Sequence, residues 1–273
     1  MKKLFTLLVI LFSIWLLTSC GGAAPAVEEP AAEEPMEEPA AEEPAAEEPM
    51  EEEPSQNPPE NAAPLYVLEE SVWESNIINV CWENPTPDNQ ADRAFIQTAI
   101  ERTWEQVSLL DFVGWEECQP ESNGIRIQLS DESPHTKGLG TNIDGVPNGM
   151  VLNPTFENWG CVNENFEQAP CTFPYNNYAR EDLIRITAVH EFGHALGFAH
   201  EQNREDTPSW CDTPQGENGT LPIGGWDLDS VMNYCNPNWI GDGTLSEMDV
   251  EGVQMVYGEK IVEKEHKKHD AQH

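Results

Sequence analysis

Residues 190–200, His-Glu-Phe-Gly-His-Ala-Leu-Gly-Phe-Ala-His, combine histidines, a glutamate and glycines at a spacing that suits a catalytic metal ion. On an α-helix, His190 and His194 lie one turn apart on the same face, so both imidazoles can reach one ion. Glu191 begins the same turn and can hold the water that the ion activates. Neutral imidazoles that leave one position open indicate a catalytic Zn²⁺ site rather than a structural one.

The elements around these residues must bring His200 back to the ion. Along a continuous helix His200 would lie roughly 15 Å from His190, too far to share a ligand sphere. Gly197 is the residue best able to end the helix in a left-handed conformation. We therefore predict a helix over residues 180–197, a glycine turn, and His200 as the third ligand. The alternative is an amphipathic core helix with incidental histidines, which leaves the ligand spacing unexplained.

These residues resemble the zinc motif of the metzincin metalloproteases, and most of all that of the astacin branch. After His200 the chain continues Glu-Gln-Asn-Arg, close to the astacin pattern His-Glu-Gln-Ser-Arg. Residues 230–234, Ser-Val-Met-Asn-Tyr, resemble the methionine turn under metzincin zinc sites, with Met232 as its methionine. The tyrosine two positions later occurs in astacins and serralysins, and the glycine-rich calcium repeats of serralysins are not seen here.

The resemblance implies an α+β fold: a metzincin-like catalytic domain with a mixed twisted sheet, an active-site helix and a C-terminal helix. It implies a zinc endopeptidase that acts on polypeptide substrates, with one catalytic Zn²⁺ on the three histidines and Glu191 as general base. Tyr234 is implied as a fifth ligand of the resting enzyme that swings to the oxyanion; its alternative role is packing beside the methionine turn. Met232 is implied to be an apolar floor and not a ligand.

The sequence also departs from the astacin pattern. Glu-Asp-Thr-Pro follows Arg204, where astacins usually continue Asp-Arg-Asp. In the family, the glutamate at the position of Glu201 pairs with the freed mature N-terminus, whereas the N-terminus of this chain is predicted to be lipid-modified and distant. No Phe-x-Gly-Asp segment of the kind that latches astacin zymogens is found. The motifs therefore support the superfamily more than the subfamily.

The N-terminus has the features of an export signal. Two lysines precede an apolar run over residues 4–17, which is short for a membrane span and suits a signal peptide. Residues 17–21, Leu-Thr-Ser-Cys-Gly, resemble a bacterial lipobox, which implies a signal peptide over residues 1–19 and lipidation of Cys20. An ordinary secretory signal is the alternative. We expect an exported protein, anchored to the cell envelope through lipid alone.

Three further segments follow the signal. Residues 20–60 repeat Glu-Glu-Pro units, which have too little apolar surface to fold and predict a disordered stalk. Residues 61–258 suit one catalytic domain. Residues 259–273 form a charged tail, which we interpret as disordered. Its histidines offer a second metal site only as the less favoured alternative: His266, His269 and His273.

The amino-acid composition limits the classes of molecule that this chain can bind. The formal net charge is −37, which argues against nucleic acid and against anionic membrane surfaces.

Without Cys20, six of the 7 cysteines remain, and an even number in an exported chain predicts disulfides. Many pairings are open, and we predict the local one: Cys81–Cys118, Cys161–Cys171 and Cys211–Cys235. Structural calcium is compatible with an acidic exported domain, but no contiguous calcium-loop signature is present. The sequence does not indicate an oligomeric state.

Hydrophobic patterning predicts the remaining elements. Strands are expected over residues 77–82, 112–118, 125–130 and 150–152. Thr86-Pro87 resembles the start of a helix that runs to Val107, with Ala91, Phe95, Ala99 and Val107 on or near its buried face. By family analogy, residues 149–153 are the candidate edge strand for an extended substrate, or else an ordinary edge strand. Ser246 and Asp249 form a capping box that opens a final helix, which ends at Tyr257 before Gly258.

Two other functions remain open beside the endopeptidase. The fold could serve a non-catalytic binding or adhesive lipoprotein, although the complete ligand set and base argue against this. A metallohydrolase that acts on a non-peptide bond would carry the same motif.

Overall fold

A computed structural model describes residues 65–163, 167–237 and 241–260. The strands are β1 Leu65–Val67, β2 Ile77–Trp82, β3 Asp111–Glu117, β4 Ile125–Leu129, β5 His135–Thr136, β6 Met150–Leu152, β7 Cys161–Val162, β8 Gln168–Ala169, β9 Phe198–Ala199 and β10 Leu221–Ile223. The α-helices are α1 Gln90–Glu101, α2 Trp104–Val107, α3 Arg180–Ala195 and α4 Glu247–Tyr257. The predicted signal peptide, Cys20, the stalk and the tail histidines lie outside the described residues.

The main sheet has five strands in the order β3-β2-β4-β6-β5. The first four strands are parallel, and β5 runs antiparallel to β6. Buried residues predominate in β2 and β4, as expected for parallel strands that are covered on both faces. The predicted α+β class with a mixed sheet, an active-site helix and a C-terminal helix is confirmed.

The edge of this sheet differs from the prediction. Strand β6, within the predicted edge segment 149–153, lies between β4 and β5 and is fully buried. The free antiparallel edge is β5, His135–Thr136, which pairs with Val151 and Met150. A strand of two residues is too short to show a hydrophobic period. For this reason β6 could be predicted from the sequence and β5 could not.

Helix α3 carries the metal motif and is buried almost all round from Leu183 onward. Its last carbonyls, which a helix end leaves without backbone partners, are bound by side chains from elsewhere. Trp73 Nε1 donates to Ala195 O at 2.8 Å, and Tyr257 Oη donates to Leu196 O at 2.7 Å. The end of the helix is therefore fixed where the chain turns at Gly197.

Helix α1 is shorter than predicted and begins later. Thr86 and Asn89 bond to each other's backbone N–H, which closes a turn before the helix and makes Thr86-Pro87 its approach, not its start. At Thr103 the backbone leaves the helical region, and α2 follows as a separate turn. The buried face is Ile96, Ala99 and Ile100, with Phe95 and Val107 partly buried. Ala91 is exposed, so its predicted place on that face was wrong.

The C-terminal helix and the disulfides agree with the predictions. Ser246 Oγ accepts a hydrogen bond from Asp249 N at 2.8 Å, and Asp249 Oδ2 accepts one from Ser246 N at 3.0 Å, which completes the capping box. Gly258 ends α4 with a φ of 86°. The three predicted disulfide pairings are confirmed: Cys81–Cys118, Cys161–Cys171 and Cys211–Cys235.

A small second sheet, in the order β10-β1-β9, was not predicted because its strands have only two or three residues. Through it, the segment after Gly197 pairs with the first described strand. All described residues belong to one compact unit. In the part of the chain that the structure describes, no helix is both long and apolar enough to span a membrane.

Candidate metal centre

Three histidines converge at the end of α3. His190 and His194 lie one turn apart on the helix, and Gly197 turns the chain back with a φ of 96°. His200 then approaches both from the side: its Nε2 lies 3.2 Å from His190 Nε2 and 3.1 Å from His194 Nε2. The structure therefore brings together the three residues that the spacing predicted, by the glycine turn that the spacing required.

Each imidazole is oriented by a backbone carbonyl on its other ring nitrogen. His190 Nδ1 bonds Val231 O at 2.6 Å, His194 Nδ1 bonds Phe198 O at 2.8 Å, and His200 Nδ1 bonds Gln215 O at 2.9 Å. A carbonyl only accepts, so each Nδ1 carries the proton and each Nε2 presents a lone pair. Three lone pairs thus point at one another.

The three Nε2 lone pairs face one another and repel unless a cation lies among them. Burial disfavours a protonated imidazole, so a proton does not take the place of that cation. Burial and the neighbouring histidines hold the pKa of His190 well below its usual value, and burial, then His200, lowers the pKa of His194 to about 3. Zn–N bonds of about 2.0–2.1 Å in a tetrahedral site place ligand nitrogens about 3.3 Å apart. The observed spacing and the neutral donors therefore fit one Zn²⁺.

Glu191 faces the same place. Its side chain is buried and lines a cleft of about 270 Å³ with His194, His200 and Tyr234. Burial raises the pKa of Glu191 to about 8, opposed by a hydrogen bond from the backbone of Thr136. Among the described residues its Oε2 has no hydrogen-bond partner. A cation at the histidines would favour the carboxylate form, and the unpartnered oxygen is free to accept a proton.

Tyr234 packs on the histidines from the methionine turn. Its ring stacks on His190 with centroids 5.2 Å apart and planes 19° apart, and lies 4.5 Å from the His200 ring. Burial, and then the nearby Glu191, raises the pKa of the Tyr234 hydroxyl, which keeps it protonated as a donor. Tyr234 thus lines the cleft and keeps a proton to donate.

Met232 lies beneath α3 and is fully buried. A Cβ on Gly193 would overlap Met232 Sδ and would also press on the ring of Trp104. The glycine between the two helical histidines therefore allows the methionine turn to approach the helix closely, as the predicted apolar floor requires.

Gly193→Ala is expected to destabilise the protein by about 1–3 kcal/mol through this overlap. Helix propensity alone would favour alanine by about 1 kcal/mol, so the sign of the change separates the two effects. Urea denaturation of the parent and the variant measures this change in the free energy of unfolding. Gly225→Ala is the matched control, because a Cβ there meets nothing within 4 Å. A Gly193→Ala protein as stable as the parent would contradict the close approach.

Asp249 links the C-terminal helix to the metal centre, a role the sequence did not reveal. Beyond the capping box, its Oδ1 accepts from Ser230 Oγ at 2.6 Å and its Oδ2 from Val231 N at 3.0 Å. Val231 O in turn holds His190. Burial raises the pKa of the Asp249 carboxyl to about 6 against the pull of these donors. The motif predicted a cap, and no sequence signal tied it to the methionine turn.

Asp249→Ala is expected to lower the free energy of unfolding by about 2–4 kcal/mol, because it removes a cap and leaves buried donors without an acceptor. Glu247→Ala, an exposed change in the same helical turn, is the control and is expected to cost less than about 1 kcal/mol. Chemical denaturation of both variants measures the difference. Equal stabilities would show that the Asp249 network contributes nothing.

Glu201 is fully buried beside an arginine. Its Oε2 lies 3.6 Å from Arg204 Nε and accepts from Asp227 N at 3.2 Å, while its Oε1 has no hydrogen-bond partner among the described residues. Arg204 also forms two hydrogen bonds with Asp206, at 2.7 and 2.9 Å. Among the described residues, the cation beside Glu201 is therefore Arg204. The N-terminus, which pairs with this glutamate in astacins, lies outside the described residues.

Comparison with known proteins finds sequence similarity to interstitial collagenases. The chain is 27% identical over 194 residues to interstitial collagenase of Bos taurus and 29% identical over 191 residues to that of Equus caballus. These matches cover 69% and 68% of this chain but only 33% of each relative, so the chain matches about a third of their length. No protein-family profile matches the chain.

Among solved structures, myroilysin aligns with a TM-score of 0.48 and 18% identity, over 71% of this chain and 99% of that one. A hatching enzyme zinc-protease from Oryzias latipes aligns with a TM-score of 0.42 and 16% identity, over 70% and 96%. The collagenase similarity and the three-histidine cluster together confirm the resemblance to metzincin-type zinc proteases. The lipoprotein N-terminus stays a prediction.

Proposed function

We propose that this chain is a zinc-dependent endopeptidase of the astacin-like type that hydrolyses peptide bonds of proteins outside the cytoplasm. One observation carries the proposal: three buried Nε2 lone pairs converge beside a cleft, and a glutamate oxygen of that cleft has no partner among the described residues. A structural metal site would be closed by a fourth protein ligand, whereas this one faces a cleft. The collagenase relatives support the same chemistry.

In this proposal His190, His194 and His200 hold the ion through Nε2. When bound, Zn²⁺ polarises the scissile carbonyl and lowers the pKa of the attacking water. Glu191 takes the proton from that water at Oε2 and delivers it to the leaving amine. Tyr234 donates a hydrogen bond from its hydroxyl to the oxyanion of the tetrahedral state and keeps its proton. Both side chains line the cleft with His194 and His200, which supports these roles.

The walls of the cleft suit an extended polypeptide. Residues 134–139 line it, and they include β5, the free edge of the main sheet. An extended chain can add to such an edge through backbone hydrogen bonds, which binds peptides with little regard to sequence. We propose β5, in place of the predicted segment 149–153, as the strand that pairs with substrate.

We propose the astacin-like subtype and the exported location on narrower grounds. The residues after His200 and the tyrosine after the methionine turn support the subtype. Three disulfides support folding in an oxidising compartment. Lipidation of Cys20, the stalk over residues 20–60 and the domain boundaries 61–258 are part of the proposal and rest on the sequence alone.

The test separates an endopeptidase from a binding protein. The parent chain and a His266→Ala control are expected to cleave unfolded casein, while His194→Ala is expected to lose zinc and cleavage together. Cleavage by His194→Ala at the parent rate would contradict the assigned site. A parent that binds zinc and casein but leaves casein intact would favour the binding or adhesive protein. A peptide-library digest distinguishes peptide hydrolysis from chemistry on other bonds.

A further inference from the structure

One of the three histidines is held differently from the others. The carbonyl that binds His190 belongs to the methionine turn, and the one that binds His194 belongs to β9, directly after α3. His200 instead bonds Gln215 O, within residues 211–218, which we call the clamp loop. The clamp loop contains no helix or strand, and residues 212–218 are exposed. The orientation of the third ligand therefore depends on whatever holds this loop in place.

Asn203 makes four hydrogen bonds to the clamp loop. Its Oδ1 accepts from Gln215 N at 2.8 Å, and its Nδ2 donates to Gln215 O at 2.8 Å, Glu217 O at 3.3 Å and Asn218 Oδ1 at 3.0 Å. Two of these bonds engage the N–H and carbonyl of Gln215 itself. Gln215 O thus accepts from Asn203 Nδ2 and from His200 Nδ1 together, which uses both of its lone pairs.

The ligand and the residue that holds its partner share one short turn. Asn203 ends the 3₁₀ turn Glu201–Asn203, and its backbone N–H donates to His200 O at 3.1 Å. The loop packs closely on the ring, since a Cβ on Gly216 would lie 3.7 Å from His200 Cε1. The disulfide Cys211–Cys235 ties the start of the loop to the segment after the methionine turn. Asn203 therefore holds the loop at Gln215, four residues after the disulfide-bonded Cys211, where the loop contacts the ligand His200.

We propose that Asn203 is a positioning residue for the third zinc ligand. By fixing Gln215 O, it sets the tautomer and the ring orientation of His200, so that Nε2 faces the ion. The outer partners of a metal-bound imidazole typically contribute about 10- to 100-fold to metal affinity. This inference rests on the proposed zinc site, and it assigns to Asn203 no contact with substrate.

The test uses two variants of Asn203 and one control. Asn203→Ala removes all four side-chain bonds. Asn203→Asp keeps the acceptor for Gln215 N but sets a carboxylate oxygen against Gln215 O. Asp212→Ala is the control, because Asp212 is exposed in the same loop and takes no part in these bonds. Zinc affinity is measured by competition with a chromophoric chelator, and the visible spectrum of the Co²⁺-substituted protein reports the ligand geometry.

Both Asn203 variants are expected to bind zinc about 10- to 100-fold more weakly and to change the Co²⁺ spectrum, while Asp212→Ala keeps the parent affinity and spectrum. If Asn203→Ala does not fold, Asn203→Asp carries the test. A parent that binds zinc, with an Asn203 variant of equal affinity and spectrum, would overturn this inference and leave the proposed function standing. A parent that binds no zinc would contradict the proposed function itself.

Discussion

Glu191→Ala is expected to lower the rate of peptide hydrolysis by about 10²–10⁴-fold while the chain keeps its zinc. The carboxylate lies at the cleft beside the histidines but is not one of the three converging donors. Removal of this carboxylate therefore takes away the group that carries the proton. It leaves intact the hydrogen bonds between the three imidazoles and their backbone carbonyls. Turnover of a fluorogenic peptide and bound zinc, measured on the same sample, test this expectation.

The matched control for Glu191→Ala is Glu181→Ala, which removes an exposed glutamate from the first turn of the same helix. It is expected to leave turnover unchanged. A Glu191→Ala protein that hydrolyses peptide at the parent rate would remove Glu191 from the mechanism. Loss of zinc together with activity would instead assign it to metal binding.

Tyr234→Phe is expected to reduce turnover by about 10²–10³-fold with little change in zinc content. The change keeps the ring that stacks on His190 and removes only the hydroxyl that would donate to the oxyanion. Because the hydrogen bond forms in the transition state, kcat should fall more than KM rises. Steady-state kinetics and metal analysis of the same preparation check both parts.

Tyr178→Phe removes a hydroxyl from a partly buried tyrosine outside the cleft and serves as the control. If Tyr234→Phe keeps the parent kcat, Tyr234 has the packing role beside the methionine turn. If it loses zinc in proportion to activity, its hydroxyl acts as a ligand and the catalytic role is not supported.

The metal centre could be predicted because its geometry is local. His194 lies four positions after His190, and one glycine explains how His200 returns, so helix periodicity and a single positive φ account for most of the arrangement. The capping box at Ser246 is readable for the same reason. The disulfide pairing required no long-range knowledge, since each cysteine pairs with its neighbour along the chain.

What the sequence could not show depends on contacts between distant segments. The carbonyls of Val231, Phe198 and Gln215 orient the histidines, but a backbone carbonyl is present at every position and leaves no signal. Asp249 is recognisable as a cap, while its bonds to the methionine turn arise only from tertiary packing. Strand β5 was missed because two residues have no period, and this shifted the predicted sheet edge to β6.

The central claim is that one zinc on the three histidines is required for peptide hydrolysis, and stepwise return of zinc tests it most directly. The purified chain is stripped with 1,10-phenanthroline and dialysed, and zinc is then added in substoichiometric steps while casein cleavage is followed. We predict that the stripped chain is inactive and that cleavage rises in proportion to bound zinc until about one ion per chain. Full cleavage by the zinc-free chain, or no cleavage with one zinc bound, would contradict the account.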